Sequence, residues 1–248
     1  MEIISSRKND WIRHLRALSS DGEYRRASGE YVCDGMKLLG EAQSSGALVR
    51  SILWKEKPGT LEGFSGRQAV APADLFDYVS PMKNSPGPLF TVAIPGCGKP
   101  GPLNRVLILE NVQDPGNVGT VIRTANAFRA DAVILCGDCA DLYHPKTVRA
   151  TMGAIFRQKV LSMDLEPMVL LLREMGLPLY GAALAEDARD LRTLSLNPAA
   201  VAVGSEGNGL SSELLALCDG KIIIPMDPSS ESLNAAVAAS VILWEMIR

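Results

Sequence analysis

Residues 204–210, Gly-Ser-Glu-Gly-Asn-Gly-Leu, follow an apolar run and carry one carboxylate among three glycines. Because glycine has no Cβ, such a segment lets the backbone come close to a ligand. The spacing matches neither the Gly-x-Gly-x-x-Gly of dinucleotide sites nor a P-loop, since no Gly-Lys-Ser/Thr follows. Glu206 would repel a diphosphate but could pair with a cation, or it could be an ordinary exposed carboxylate of a turn. The segment therefore disfavours nucleoside triphosphate sites and a Rossmann dehydrogenase.

Two further segments place polar side chains after apolar runs. Residues 110–123 contain Asn117 and, six positions later, Arg123. Asn117 could cap a helix, and Arg123 could be a solvated surface residue.

Residues 223–234 bend at a proline and then enter the last predicted helix near its positive end, bringing Ser232 and Asn234 there. Ser232 could be an ordinary N-cap. Caps and turns explain each segment alone but explain the three together poorly, so we expect a ligand site.

These segments lie in a part of the chain where strand-length apolar runs alternate with helical patterns. The predicted strands are 105–110, 132–136, 179–183, 200–204 and 221–225. The predicted helices are one beginning near Asn117, then 145–156, 167–175 and 233–247. Strands that are apolar on both faces indicate a parallel sheet covered by helices on both sides. Ligands usually bind at the carboxyl ends of such strands, where all three segments begin.

The first hundred residues predict a smaller α/β unit. Helical periodicity over 9–18 and 34–43 alternates with short strand-like runs at 31–33, 51–54 and 89–94. Residues 94–102 are too rich in glycine and proline for regular structure and indicate a linker. We therefore expect two domains, residues 1–96 and 101–248.

Composition describes a globular chain. It is 47% hydrophobic and 21% charged, with no apolar run long enough for a membrane span and no secretory signal pattern, so a cytoplasmic protein is expected. A net charge of −3 argues against a broadly basic nucleic-acid coat. Residues 1–99 nevertheless carry a net +2 and the remainder −5, which mildly favours an anionic partner for the first half.

The five cysteines are spread thinly, which favours reduced thiols over a disulfide framework. Cys136-Gly-Asp-Cys139 could indicate redox chemistry or half of a zinc site. Because no second pair exists and His144 is the only nearby imidazole, small buried or loop thiols are the favoured interpretation, and no metal site is expected.

Together, the three segments strongly resemble the motifs of the SpoU-type (TrmH-like) RNA ribose 2′-O-methyltransferases of the SPOUT superfamily. The matching residues are Asn117-x5-Arg123, Gly204 to Leu210, Ile224-Pro-Met226 and Glu231-Ser-Leu-Asn234. Residues 5–54 look like the family's N-terminal substrate-binding domain, and residues 149–156 resemble a further family segment. Asp227-Pro-Ser-Ser230 departs from the pattern, since relatives often carry glycine there. The resemblance implies a C-terminal trefoil knot, which general topology rules make improbable.

The resemblance also implies S-adenosylmethionine as cofactor, rRNA or tRNA as substrate and a homodimer whose site combines loops of two protomers. It assigns catalytic roles to Asn117, Arg123, Glu206, Ser232 and Asn234, with Glu206 orienting Arg123. Backbone groups near Gly204, Ile224, Met226 and Leu233 would hold the cofactor. Three apolar residues of the last helix could form the dimer interface or pack inside the chain: Val237, Val241 and Trp244.

Neither histidine, His14 or His144, lies in the three segments, so an imidazole base is disfavoured. In the family this role falls to Arg123. A guanidinium is a poor base, so two versions stay open: Arg123 accepts the proton transiently, or it stays cationic and stabilises the developing alkoxide. A non-catalytic RNA-binding or ribosome-assembly protein with this fold is the main alternative, although binding alone would not require the complete catalytic set.

Overall fold

The structure, a computed structural model, describes residues 1–59, 61, 63–96, 98, 100–227, 229 and 232–248. It contains two compact units. The first comprises Met1–Cys97 and Asp141–Phe156, and the second comprises Gly98–Ala140 and Arg157–Arg248. Each unit has its own sheet, and elements are numbered along the whole chain.

The first unit is built on a mixed sheet. Its strands are β1 (Glu2–Ile3), β2 (Glu30–Asp34), β3 (Val49–Lys55), β4 (Arg67–Ala71) and β5 (Leu89–Ala93). Its helices are α1 (Asp10–Ser20), α2 (Gly22–Ser28), α3 (Met36–Ser44), α4 (Ala73–Val79) and α6 (Pro145–Ala150). The strand order is β1-β4-β3-β5-β2, with β5 antiparallel to both of its neighbours. The predicted helices and strands are present with slightly different bounds, whereas β1, α2, β4 and α4 are not among the predicted elements.

Residues 141–156 pack in the first unit, although the expected boundary places them with the second half of the chain. The buried guanidinium of Arg25 pairs with Asp141 at 2.6 Å, and the Tyr143 ring lies 4.6 Å from that of Tyr31. The compact units therefore differ from the expected domains, 1–96 and 101–248, in the placement of residues 141–156.

The predicted helix 145–156 is also shorter than expected. Helix α6 ends at Ala150, and Met152 and Gly153 adopt positive φ angles of 51° and 94°. A helix cannot continue through left-handed residues, so the chain resumes only as one 3₁₀ turn, Ala154–Phe156.

The second unit contains a seven-stranded sheet in which every pairing is parallel. The strands are β6 (Arg105–Glu110), β7 (Ala132–Cys136), β8 (Val160–Met163), β9 (Leu179–Ala182), β10 (Arg189–Asp190), β11 (Ala199–Val203) and β12 (Gly220–Ile223). Their order is β10-β12-β9-β11-β6-β7-β8. Every residue of β7 and β11 is buried, as the apolar runs predict.

The helices of the second unit are α5 (Pro115–Ala127), α7 (Leu165–Glu174), α8 (Ser212–Leu217) and α9 (Ala235–Ile247). Helix α5 packs against α9, and α9 also contacts β6 and β11. None of the described helices is both long and apolar enough to cross a membrane.

Asn117 and Ser232, which the sequence offers as possible N-caps, do not cap the helices that they precede or begin. Asp114 caps α5 by accepting the Asn117 N–H at 2.8 Å, so Asn117 lies in the first turn. Asn234 caps α9 by accepting the N–H groups of Ala236 and Val237, and Ser232 lies before the cap. Both asparagines are thereby fixed at helix starts.

Candidate active site

The three polar loops follow β6, β11 and β12. These strands and β9 are contiguous in the order β12-β9-β11-β6. Since all four are parallel, their carboxyl ends lie at one edge of the sheet, and the loops emerge there together. The predicted convergence of the three segments is confirmed.

The sheet order adds a loop that the sequence analysis did not consider. Residues 183–188 follow β9, between the loops after β11 and β12. Leu184 in this loop is 65% exposed. The residue types there match no motif, so only the strand order could identify the loop as part of the site.

One carboxylate oxygen joins the three loops. Glu206 Oε1 accepts a hydrogen bond from Asn117 Nδ2 at 2.8 Å and another, shorter, from Asn234 Nδ2. Asn234 Nδ2 also donates to Asn117 Oδ1 at 3.1 Å. Three residues widely separated in the sequence therefore form one cluster, which we call the Asn117–Glu206–Asn234 cluster.

Helix α9 contributes to the electrostatics of this cluster. The Ala235 N–H in its first turn donates to Glu206 Oε1 at 3.3 Å. The unpaired N–H groups at a helix start carry partial positive charge, so they stabilise a carboxylate placed there. Glu206 Oε2 forms no hydrogen bond to any described residue.

Arg123 does not join the cluster. It is exposed on α5 and forms no hydrogen bond or ion pair with another described residue. Six helical residues rotate the side-chain direction by about 240°, which directs Arg123 away from Asn117. Within one chain Glu206 therefore bonds to the two asparagines through Oε1 and forms no hydrogen bond or ion pair with Arg123.

Ser232 also remains outside the cluster. It is exposed and forms no hydrogen bond with the described residues. Glu231 and much of the departure at 227–230 lie outside the described residues; of that departure, Asp227 accepts hydrogen bonds from the N–H and hydroxyl of Ser229.

Gly204 has a steric reason to be glycine. A Cβ at this position would lie 2.1 Å from the carbonyl carbon and oxygen of Gly209. The Gly209 N–H donates to the Ser205 carbonyl at 2.8 Å, and Gly209 has a φ of 66°. The loop therefore folds back on itself so tightly that a side chain at Gly204 would open it.

Glu110 connects the first loop to the end of the second. Its buried carboxylate accepts the Ser211 N–H at 2.7 Å and the Ser211 hydroxyl at 2.6 Å. Ser211 in turn caps α8. In the sequence Glu110 is only the end of a predicted strand. A charged residue that closes an apolar run is the signal that could have identified it as a residue of the site.

The residues expected to hold a cofactor suit S-adenosylmethionine. Ile224, Met226 and Leu233 are half-buried, so they offer apolar surface to an adenosyl group. Met226 and Leu233 form no hydrogen bond with other described residues, which leaves their backbone groups available. Residues 204–210 and 224–234 contain no Lys or Arg, and a positively charged sulfonium is not repelled there.

Burial raises the pKa of each described thiol, which disfavours the reactive thiolate. Cys33, Cys136, Cys139 and Cys218 are free, while Cys97 lies outside the described residues. Burial raises the pKa of Cys136 to about 11. The Cys139 thiol lies 3.3 Å from the Leu109 carbonyl oxygen, so it packs against the end of β6.

Comparison with known proteins identifies the family. The sequence matches the SpoU rRNA Methylase family over residues 104–244. It is 33% identical over 250 residues to a 23S rRNA (guanosine(2553)-2′-O)-methyltransferase of Bacillus subtilis, covering 99% of both chains. It is 40% identical over 148 residues to a tRNA (guanosine(18)-2′-O)-methyltransferase of Thermus thermophilus, covering 57% of this chain and 73% of that one.

A solved structure agrees along almost the whole length. The SpoU methyltransferase AviRb of Streptomyces viridochromogenes, determined in complex with its cofactor S-adenosylmethionine, superposes with a TM-score of 0.86 at 27% identity. The match covers 97% of this chain and 98% of AviRb. On its sequence, its fold and the convergence of its three motifs, the chain belongs to the SpoU rRNA methylase family.

Proposed function

We propose that this protein transfers a methyl group from S-adenosylmethionine to a ribose 2′-hydroxyl of rRNA or tRNA. The Asn117–Glu206–Asn234 cluster is the observation that carries the proposal, because it assembles the three family motifs at the edge of a parallel sheet. The relatives named above methylate ribose in both RNA classes, according to their names.

Backbone groups near Gly204, Ile224, Met226 and Leu233 would hold the cofactor. When bound, S-adenosylmethionine supplies an electrophilic sulfonium methyl group. The tight turn at Gly204 keeps backbone amides in place, and the absence of cationic side chains in residues 204–210 and 224–234 favours a positively charged ligand. Positioning of this kind supplies much of the rate in a displacement reaction.

Arg123 is the group that we assign to the ribose hydroxyl. Either it takes the proton transiently, or it stays cationic and stabilises the alkoxide as it forms. Its lack of any partner among the described residues supports a role toward a second protomer. Asn117, Ser232 and Asn234 would hold the ribose and the catalytic loops, with Glu206 fixing the two asparagines.

The homodimer is the assembly that such a shared site requires. On the outer face of α9, Val237, Val241 and Trp244 are 48%, 37% and 55% exposed, so much of their apolar surface is left uncovered by the chain. The opposite face of α9 is buried, which makes the helix apolar on all sides. Trp244 packs edge-on against Phe128 at 5.6 Å, and this groove between α5 and α9 suits a second copy of the chain.

The trefoil knot is part of the same proposal. Strand β12 pairs with β9 on the side away from β11, whereas α9 contacts β11 and β6. The chain therefore leaves the sheet on the outer side of β9 and continues in a helix that packs on β11 and β6, which supports a threaded connection. The first unit, with its slight positive excess, would select the RNA, and the cytoplasm is where rRNA and tRNA are available.

Nucleotide-resolution mapping of ribose methylation tests the function. A strain lacking the gene should lose one 2′-O-methylated position in rRNA or tRNA, and the gene carrying Arg123→Ala should not restore it. If the deletion strain keeps every 2′-O-methylated position in both RNA classes, the non-catalytic RNA-binding alternative is favoured.

A further inference from the structure

An exposed tyrosine in the first unit has two arginines at its ring. Tyr78, in the last turn of α4, is 38% exposed. The guanidinium carbon of Arg7 lies 4.5 Å from the centre of the Tyr78 ring, and that of Arg16 on α1 lies 5.2 Å away. Helices α1 and α4 pack together, so the fold of the unit brings Arg16 close to Tyr78, and Arg7 lies in the turn just before α1.

The two positive charges have no counter-charge among the described residues. Neither Arg7 nor Arg16 forms an ion pair with a described residue. Other arginines of the first unit each form an ion pair with a carboxylate. These pairs are Arg13–Asp10, Arg25–Asp141 and Arg67–Glu2.

The carboxylates beside Tyr78 do not supply the missing charge either. Asp77 pairs with Lys55 at 2.7 Å, and Asp74 forms no ion pair with Arg7 or Arg16. Two like charges held at one ring repel each other, so an anion that binds between them lowers the energy of the arrangement.

An aromatic ring beside planar guanidinium groups suits one kind of anion. Unpaired nucleotides stack their bases on Tyr and Arg planes while arginines hold their phosphates. A base inside a duplex has no free face for such stacking. We propose that Arg7, Tyr78 and Arg16 form a binding site for an unpaired nucleotide of the RNA; the identity of the ligand as RNA rests on the proposed function.

The site makes a distinct prediction for each side chain. Loss of the ring removes base stacking, so Tyr78→Ala should weaken binding about tenfold. Tyr78→Phe keeps the aromatic face and should bind nearly as the wild type does. The double change Arg7→Ala with Arg16→Ala should reduce the slope of log affinity against log salt by about 1.4, the value for two phosphate contacts on a single strand.

Fluorescence anisotropy with the full-length protein measures these effects. The probes are a labelled single-stranded oligouridylate and an RNA duplex of equal length. Arg67→Ala is the matched control, because Arg67 also lies over an aromatic ring, Trp11 at 4.5 Å, but is neutralised by Glu2. It should change neither the affinity nor the salt slope.

The proposal predicts tighter binding of the single strand than of the duplex, and loss of that preference in Tyr78→Ala. Equal affinity of wild type and Tyr78→Ala for the single strand, or no binding of it by the wild type, would overturn it. If circular dichroism shows that Tyr78→Ala does not fold, the salt slope of the Arg7→Ala/Arg16→Ala double variant tests the proposal instead. A slope equal to that of the wild type would then overturn it. Methyl transfer by the wild type is measured separately, so a failed site and a failed function give different results.

Discussion

At the scale of single residues, the site depends on how one carboxylate is shared. Glu206 Oε1 receives amide hydrogen bonds from two loops and a backbone N–H from the start of α9. Hydrogen bonds to a charged acceptor are stronger than neutral ones, although exposure to water weakens them. We therefore expect the three side chains of the Asn117–Glu206–Asn234 cluster to hold one another in position.

This coupling predicts non-additive substitutions. Asn117→Ala and Glu206→Ala each remove the same hydrogen bond. The double variant should therefore lose less free energy of unfolding than the sum of the single variants, by about 0.5–1 kcal/mol. Urea denaturation of the four proteins measures this coupling. Asn208→Ala is the control, because the Asn208 side chain bonds to neither residue of the pair. Its effect on the free energy of unfolding should simply add to the effect of Glu206→Ala. Strict additivity for Asn117 and Glu206 would contradict the shared contact.

The thiol of Cys136 gives a pH-dependent prediction. Burial raises its pKa to about 11, and only the thiolate reacts with iodoacetamide. A raised pKa means less thiolate at any lower pH, so alkylation of the folded protein should keep accelerating up to about pH 11. In urea the same cysteine should level off near the ordinary thiol pKa of about 8.5. Mass spectrometry of the Cys136 peptide provides the rates. Rapid alkylation of the folded protein at neutral pH would instead indicate a reactive C-x-x-C motif.

At the scale of elements, the geometry of the loop after β11 requires glycine at one position and tolerates a side chain at another. A Cβ at Gly204 collides with the backbone of Gly209, whereas a Cβ at Gly207 meets nothing within 4 Å. The two positions lie in the same loop, and neither has a positive φ. They therefore form a matched pair for substitution.

Gly204→Ala should open the loop and weaken binding of S-adenosylmethionine at least tenfold, whereas Gly207→Ala should change it little. Displacing backbone donors that hold a ligand costs about 1–3 kcal/mol for each hydrogen bond lost. Isothermal titration calorimetry gives both affinities, and circular dichroism confirms that both variants fold. Equal affinities would mean that the cofactor does not depend on this turn.

The elements also show what the sequence could predict. Strands β6 and β7 match their predicted bounds because both are continuous apolar runs buried in a parallel sheet. Strand β8 is not predictable in the same way, because Ser162 interrupts its four residues and leaves no continuous apolar run. The end of α6 depends on the positive φ of Met152, which residue type does not predict.

The residues of the candidate site could be predicted from the sequence motifs, whereas the contacts between them could not. Asn117 was considered as a cap because its residue type suits one, but Asp114 takes that position. The partner of Asn117, Glu206, lies 89 residues away, and no local pattern reveals such a contact. The expected pairing of Glu206 with Arg123 rests on the family resemblance and not on a local pattern.

At the scale of the whole molecule, the division into units affects which experiments are meaningful. Residues 141–156 pack with the first unit through Arg25 and Tyr31, so a fragment beginning at residue 101 would expose that segment. Point variants of the full chain are therefore the right tool for separating RNA binding, cofactor binding and chemistry.

Subunit mixing tests whether Arg123 acts across a dimer. Arg123→Ala should be inactive with normal cofactor affinity, and Gly204→Ala should be inactive because it binds cofactor poorly. Random exchange of equal amounts should restore activity in about a quarter of the sites, since half of the dimers are mixed and each then has one intact site. Methyl transfer is measured after native mass spectrometry has confirmed mixed dimers. Inactive mixtures would place Arg123 and cofactor within the same chain.

The central claim concerns the atom that receives the methyl group. The most direct measurement incubates the full-length protein with RNA from a strain lacking the gene and with S-adenosylmethionine carrying a deuterated methyl group, then digests the RNA and analyses the nucleosides by mass spectrometry. We predict a 2′-O-methylnucleoside that carries the deuterium label and is absent when Arg123→Ala is used. Label found on a base, or no labelled nucleoside at all, would contradict the account.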